Sequence, residues 1–121
     1  MNNSKEKLSF EKTINNLKLL GWDIALEFKF APNRKFRADF KISKQNLNIL
    51  IEYEGIIASK ARHTSIIGYN NDCEKYNLAN KLGYIFLRYT ALNYQNLLRD
   101  IQEIEWRILG SCSADCQVLL K

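Results

Sequence analysis

Residues 36–55, FRADFKISKQNLNILIEYEG, decide the fold. Apolar and polar side chains alternate from Phe36 to Ile42, as in a strand with one buried face, and a second strand begins at Asn48. The turn-like Ser43 to Asn46 between them predicts an antiparallel hairpin. Because Ile49-Leu50-Ile51 is apolar on both faces, the second strand is expected to lie centrally in a sheet.

The segments on either side of this hairpin complete an α/β pattern. The predicted elements are a helix over 5–20, strands over 26–30, 36–42 and 48–54, a helix over 71–82, a strand over 84–89 and a helix over 92–109. The strand–helix–strand passage near the end predicts a right-handed crossover that places the last strand beside the hairpin. The expected fold class is therefore α/β, a mixed sheet of about four strands flanked by helices in the order α-β-β-β-α-β-α.

Length and composition indicate one ordinary globular domain. The chain has 121 residues, of which 46% are hydrophobic and 26% charged, so we expect a single domain with its core at about 5–109 and a tail at 110–121 whose structure the sequence pattern determines only weakly. No stretch approaches the ~20 apolar residues that span a bilayer, and the N-terminus does not resemble a signal peptide. Three cysteines do not suggest a disulfide framework, so a reducing cytoplasm is the expected compartment, with no membrane partner.

The charge balance favours a polyanionic partner. Lys and Arg outnumber Asp and Glu by 18 to 13, a net charge of +5, and neutralising phosphates with such cations releases condensed counterions. A generically basic, soluble surface is the alternative that charge alone leaves open.

Three carboxylates are expected on one patch of the hairpin. Asp39 lies on the polar face of its strand, and antiparallel pairing sets it opposite Ile51 or Glu52, with Glu54 on the same face as Glu52. Close like charges repel unless a cation compensates them, and Mg²⁺ or Mn²⁺ takes such oxygen ligands. The alternative is an exposed sheet face with solvated charges, but acids at the end of a buried strand are unusual, and Gly55 permits close approach of the backbone to a ligand.

An ordered series of short segments over residues 25–92 resembles small phage and prophage nucleases of the PD-(D/E)xK superfamily, related to Holliday-junction-resolvase-like, VRR-NUC-like and very-short-patch-repair-like enzymes. The segments are EFKFAPNRKFRADF at 27–40, IEYEG at 51–55, RHT at 62–64, GY at 68–69, DCEKYN at 72–77 and GYIFLRY at 83–89. No single segment is specific, but their unbroken order is. The resemblance implies a restriction-endonuclease-like core and metal-dependent hydrolysis of DNA phosphodiester bonds, on branched or structured DNA in the resolvase-like relatives.

The resemblance also implies a metal site. Asp39 corresponds to the metal-bridging aspartate, Glu52 to the first acid of the E-x-K half-motif, and the backbone carbonyl of Tyr53 to a further ligand. Where most of the superfamily has a lysine, this chain has Glu54, which is expected to be a direct or water-mediated ligand. Glu6 matches an acid that several resolvase-like nucleases place on their first helix.

The missing lysine can be replaced from a neighbouring element. Lys75 is the first candidate, since the start of a helix beside the sheet could bring its ammonium to the carboxylates, and Lys60 is the second. For Lys75 the alternative is an i,i+3 partner of Asp72 on a solvated helix.

Further residues are candidates for contact with DNA. His63 could act as a general base or hold the scissile phosphate, although a loop histidine is often an ordinary surface residue. Lys60, Arg62 and Arg88 are candidate phosphate contacts. The last amphipathic helix is a candidate homodimer interface. Two rival functions stay open: a nuclease-like DNA-binding module that has lost catalysis, motivated by the missing lysine, and a basic protein-interaction domain.

Overall fold

The computed structural model describes residues 4–55 and 66–110, and within them the predicted order α-β-β-β-α-β-α is confirmed. The elements are α1 (Lys5–Asn16), β1 (Asp23–Lys29), β2 (Arg37–Lys44), β3 (Leu47–Gly55), α2 (Ile66–Lys81), β4 (Ile85–Thr90) and α3 (Leu97–Leu109). One 3₁₀ turn, Leu17–Leu20, follows α1, and another, Tyr94–Asn96, precedes α3. None of the described helices is long and apolar enough to cross a membrane.

The four strands form one mixed sheet in the order β1-β2-β3-β4. β2 and β3 are antiparallel and joined at Lys44–Leu47, with Phe40 opposite Ile51, so the register of the predicted hairpin is confirmed. β4 pairs in parallel with β3, as expected for a strand that returns through a helix.

β3 is buried from both faces of the sheet, as its apolar run predicts. Ile49 and Ile51 are fully buried in a cluster with α1 and α3, which contribute Phe10 and Ile101. Leu50, also fully buried, belongs to the cluster on the other face, which packs against α2. The sheet therefore separates an α1/α3 side from an α2 side.

α1 begins where its sequence predicts, but its regular α-helix ends at Asn16, and a 3₁₀ turn continues to the predicted stop at Gly21. The Ser4 hydroxyl accepts a hydrogen bond from the backbone N–H of Lys7 at 3.0 Å and caps the helix. Phe10 and Ile14 lie on its buried face. After the 3₁₀ turn, Gly21 takes a φ of 94°, a left-handed conformation that glycine adopts without strain.

The regular alternation predicted for β1 and β2 is wrong at one place in each strand. Glu27 has a φ of 48°, so Leu26 is exposed whereas Phe28 packs against the α2-side cluster. In β2, Ala38 lies in the α2-side cluster and Phe40 in the α1-side cluster, although alternation placed them on one face. The change of face in β2 falls at Asp39.

Two helix boundaries also differ from the sequence prediction. α2 includes Ile66, five residues before the predicted start at 71. The pattern did not predict these first turns, because their apolar side chains Ile66, Ile67 and Tyr69 are exposed and do not form the buried stripe of an amphipathic helix. α3 begins at Leu97 rather than at 92. The side chain of Asn93 accepts a hydrogen bond from the backbone N–H of Thr90 at 2.7 Å, which holds these residues in a turn.

Candidate active site

Asp39 lies where β2 and β3 separate. The backbone pairing of these strands ends at Phe40 and Ile51. Beyond that point the backbone N–H of Tyr53 donates to Oδ2 of Asp39 at 2.9 Å instead of to a backbone carbonyl. The carboxylate thus occupies the gap between the strands and satisfies a donor that the ladder leaves free.

The gap opens into a cavity on the α1 side of the sheet. The cavity has a volume of about 250 Å³ and is lined by Lys7, Phe10, Glu11, Leu26, Glu27, Asp39, Phe40 and Tyr53. Two acids that were not predicted as metal ligands, Glu11 and Glu27, therefore lie near Asp39 on this side. Lys7 and Glu11 are four residues apart on the predicted first helix, so the sequence does place them on one helix face. The positive φ of Glu27 has no signature in the sequence.

Glu52 points to the other side of the sheet. Its Oε2 accepts a hydrogen bond from Nζ of Lys75, and the Tyr76 hydroxyl donates to Oε1 at 3.4 Å, both from α2. The side chains of Glu52 and Lys75 are only 13% and 15% exposed. Lys75 therefore reaches Glu52 rather than Asp72, as the first of the two sequence hypotheses expected.

Burial makes Glu52 a weaker acid than an ordinary glutamate. Its removal from water raises the pKa of Glu52 above the usual 4.5, and the Lys75 ammonium lowers that pKa only in part. The negative charges of Glu54 and Asp39 raise the pKa further. Asp39 and Glu52 thus interact electrostatically although they approach the gap from different sides of the sheet.

Glu54 has a cationic partner of its own. Its Oε2 accepts a hydrogen bond from Nε of Arg88 at 3.0 Å, and the Arg88 guanidinium lies 4.6 Å from the centre of the Tyr76 ring. Next to it, Gly55 takes a φ of 70°, which a residue with a side chain rarely adopts. The predicted convergence of Asp39, Glu52 and Glu54 on one patch is wrong. Asp39 lies in the strand gap on the α1 side, Glu52 points to the α2 side, and Glu54 pairs with Arg88.

The described residues around the gap offer few donors for a metal ion. Among residues 4–55 and 66–110, no three His, Cys, Asp or Glu side chains are grouped to hold a metal ion. Asp39 and Glu52 remain as two interacting carboxylates on neighbouring strands, with the backbone of Tyr53 between them. Mg²⁺ keeps several of its waters in proteins, so a site for it needs few protein oxygens.

The other predicted site residues are placed as follows. Glu6 is half-buried in the first turn of α1 and is not among the residues that line the cavity. Arg88 is 47% exposed in its side chain, so it stays accessible to a ligand beside its ion pair. Lys60, Arg62 and His63 fall outside the described residues.

Comparison with known proteins returns no match: no protein-family model, curated protein or solved structure aligns significantly with this chain.

Proposed function

We propose that the chain is a divalent-metal-dependent endonuclease that hydrolyses phosphodiester bonds in DNA. The observation that carries the proposal is the ion pair between Lys75 and the buried Glu52, next to the gap that holds Asp39. In the E-x-K half-motif, the lysine at the third position lies beside the two carboxylates. In this chain Lys75 would take the place of that lysine, next to Glu52 and Asp39. The resemblance over residues 25–92 supports the same function.

Each residue has a distinct task in this proposal. Asp39, Glu52 and the carbonyl of Tyr53 would hold Mg²⁺ or Mn²⁺. When bound, that ion would polarise a phosphoryl oxygen and acidify a water molecule. Lys75, held by Glu52, would place a fixed positive charge where negative charge develops on the phosphate. Arg88 would contact the DNA backbone from the edge strand β4.

The test is cleavage of a supercoiled plasmid and of a branched DNA junction in Mg²⁺, Mn²⁺ or EDTA. We expect cleavage that requires the metal, and a loss of at least about a hundredfold in Asp39→Asn and Glu52→Gln, the usual scale for removing a group that stabilises the transition state. Glu103→Gln, a change at an exposed acid on α3, is the matched control and should keep full activity. Undiminished cleavage by Asp39→Asn or Glu52→Gln would reject the proposed site.

One observation favours a second candidate, a nuclease-like module that binds DNA without cleaving it. The described residues form no three-acid group, and Glu54, which stands at the usual lysine position, is held by Arg88. This candidate predicts DNA binding that EDTA does not weaken, with no cleavage in either metal. The plasmid assay combined with a binding assay therefore separates the two functions.

A further inference from the structure

The connection between β1 and β2 concentrates positive charge. Residues 29–37, KFAPNRKFR, carry four cations and no acid. Lys29, Arg34, Lys35 and Arg37 are all exposed, and we call these four side chains the basic loop. The base of the loop is fixed, because Phe30 and Ala31 are only 5% and 3% exposed in the α2-side core.

The strand register brings two of these cations face to face. Lys29 pairs with Arg37 across β1 and β2, so their side chains leave the same face of the sheet. Like charges directly opposite each other destabilise a sheet. Arg37 lies 3.8 Å from Glu27, a weak and exposed ion pair, whereas Lys29 and Lys35 have no ion-pair partner in the part of the chain that the structure describes. An anion bound between Lys29 and Arg37 would relieve their repulsion across β1 and β2.

The basic loop lies at the same end of the sheet as the candidate active site. Arg37 begins β2 two residues before Asp39. Arg34 donates to Glu74 at 3.1 Å, and Glu74 directly precedes Lys75 on α2. The Arg34 guanidinium also lies 4.2 Å from the centre of the Phe36 ring, which leaves its orientation well defined.

We infer that the basic loop binds the phosphate backbone of duplex DNA beside the position where the strand is cut. Its contacts are to phosphates rather than to base edges. Exposed lysines on the β1–β2 connection supply positive charge, but they do not hold hydrogen-bond donors in the fixed positions that reading a base requires. The inference rests on the proposed function for its substrate. It adds a DNA-binding surface on the β1–β2 connection.

The test compares two pairs of substitutions that remove the same charge. Lys29→Gln with Lys35→Gln neutralises two cations of the basic loop. Lys18→Gln with Lys81→Gln removes two exposed cations from the opposite end of the sheet, where β1 and β4 begin. Binding of a fluorescent DNA duplex is measured by anisotropy in EDTA over a range of salt concentrations, so that no cleavage intervenes. Thermal unfolding checks that each variant is folded.

We expect the loop variant to flatten the slope of log K against log salt by about 2, since each phosphate that the protein neutralises contributes about 0.9 to that slope. The control variant should change the slope by much less. Equal changes in both variants would show diffuse attraction to a basic surface and would overturn the inference, as would no change in either.

Cleavage assays on the same proteins keep this inference distinct from the proposed function. If the unsubstituted protein binds through the loop but cleaves in neither metal, the proposed function fails and the inference stands. If it cleaves DNA and the loop variant keeps the full salt slope, the inference alone fails.

Discussion

Among single residues, Lys75 has the most informative position. Its sequence context allows two roles, a partner of Asp72 on a solvated helix or a replacement for the lysine absent from residue 54. Its ammonium bonds Glu52 on β3, and both side chains are largely buried. A charge removed from water needs a partner, so each member of this pair depends on the other.

Lys75→Met tests that dependence. It should lower the free energy of unfolding by about 3 kcal/mol at neutral pH, because the Glu52 carboxylate is left buried without its counter-charge. Adding Glu52→Gln to the same protein should recover most of the loss, since neither charge then remains. Urea denaturation measures both. Losses that simply add in the double variant would contradict a coupled pair.

The titration of Glu52 gives a second prediction. Burial raises the pKa of Glu52 above 4.5 in the folded chain, so the folded chain holds the proton of Glu52 more tightly than the unfolded chain does. The protonated form of Glu52 therefore stabilises the fold fully below the ordinary pKa of glutamate, and this contribution is lost as pH rises through the folded pKa. In Lys75→Met the pKa should move higher still, because the cation that lowers it is gone. Carboxyl ¹³C chemical shifts followed against pH in metal-free protein measure both values. A midpoint at or below 4.5 in the unsubstituted chain would contradict the burial of this acid.

Among the elements, α1 carries the packing that positions the strand gap. Phe10 is 1% exposed, and its ring lies 5.1 Å from that of Tyr53 and 6.0 Å from that of Phe40, on the two strands that separate at Asp39. This one side chain therefore supports both sides of the gap from the α1 face.

Phe10→Ala should lower the free energy of unfolding by about 3 kcal/mol or more, the usual effect of emptying a buried aromatic position. Leu19→Ala is the matched control, because Leu19 is 84% exposed and its truncation removes little packing. Chemical denaturation of the two variants side by side checks the difference. Equal, small losses would mean that α1 does not pack as described.

The elements also show what a sequence can and cannot predict here. The register of β2 with β3 was predictable because a short polar turn and an apolar run fix it together. The interruption at Glu27 was not, because a positive φ in a residue other than glycine depends on its surroundings. The same holds for Asp39: alternation assigned it to a sheet face, and only the separation of the strands reveals that its carboxylate accepts from the Tyr53 backbone.

At the scale of the molecule, two largely buried ion pairs among residues 4–55 and 66–110 lie at opposite ends of the sheet. At one end Lys44 bonds Glu105 of α3 at 2.5 Å and the carbonyl of Leu20 at 2.8 Å, joining β2 to the helices. At the other end Lys75 and Glu52 lie beside the strand gap, with the basic loop next to them. At the first end the Lys44 ammonium is held by protein groups, whereas the second end combines interacting acids with exposed cations. That asymmetry favours the second end for the proposed chemistry.

The most direct test of the account is the anomalous difference map of a crystal soaked with Mn²⁺. We predict one peak in the gap between β2 and β3, with oxygens of Asp39, Glu52 and the Tyr53 carbonyl at about 2.1 Å, the distance at which Mg²⁺ binds oxygen. The peak should disappear in Glu52→Gln. A fully soaked crystal with no peak at the gap, or with its ion bound only by acids away from Glu52, would contradict the central claim.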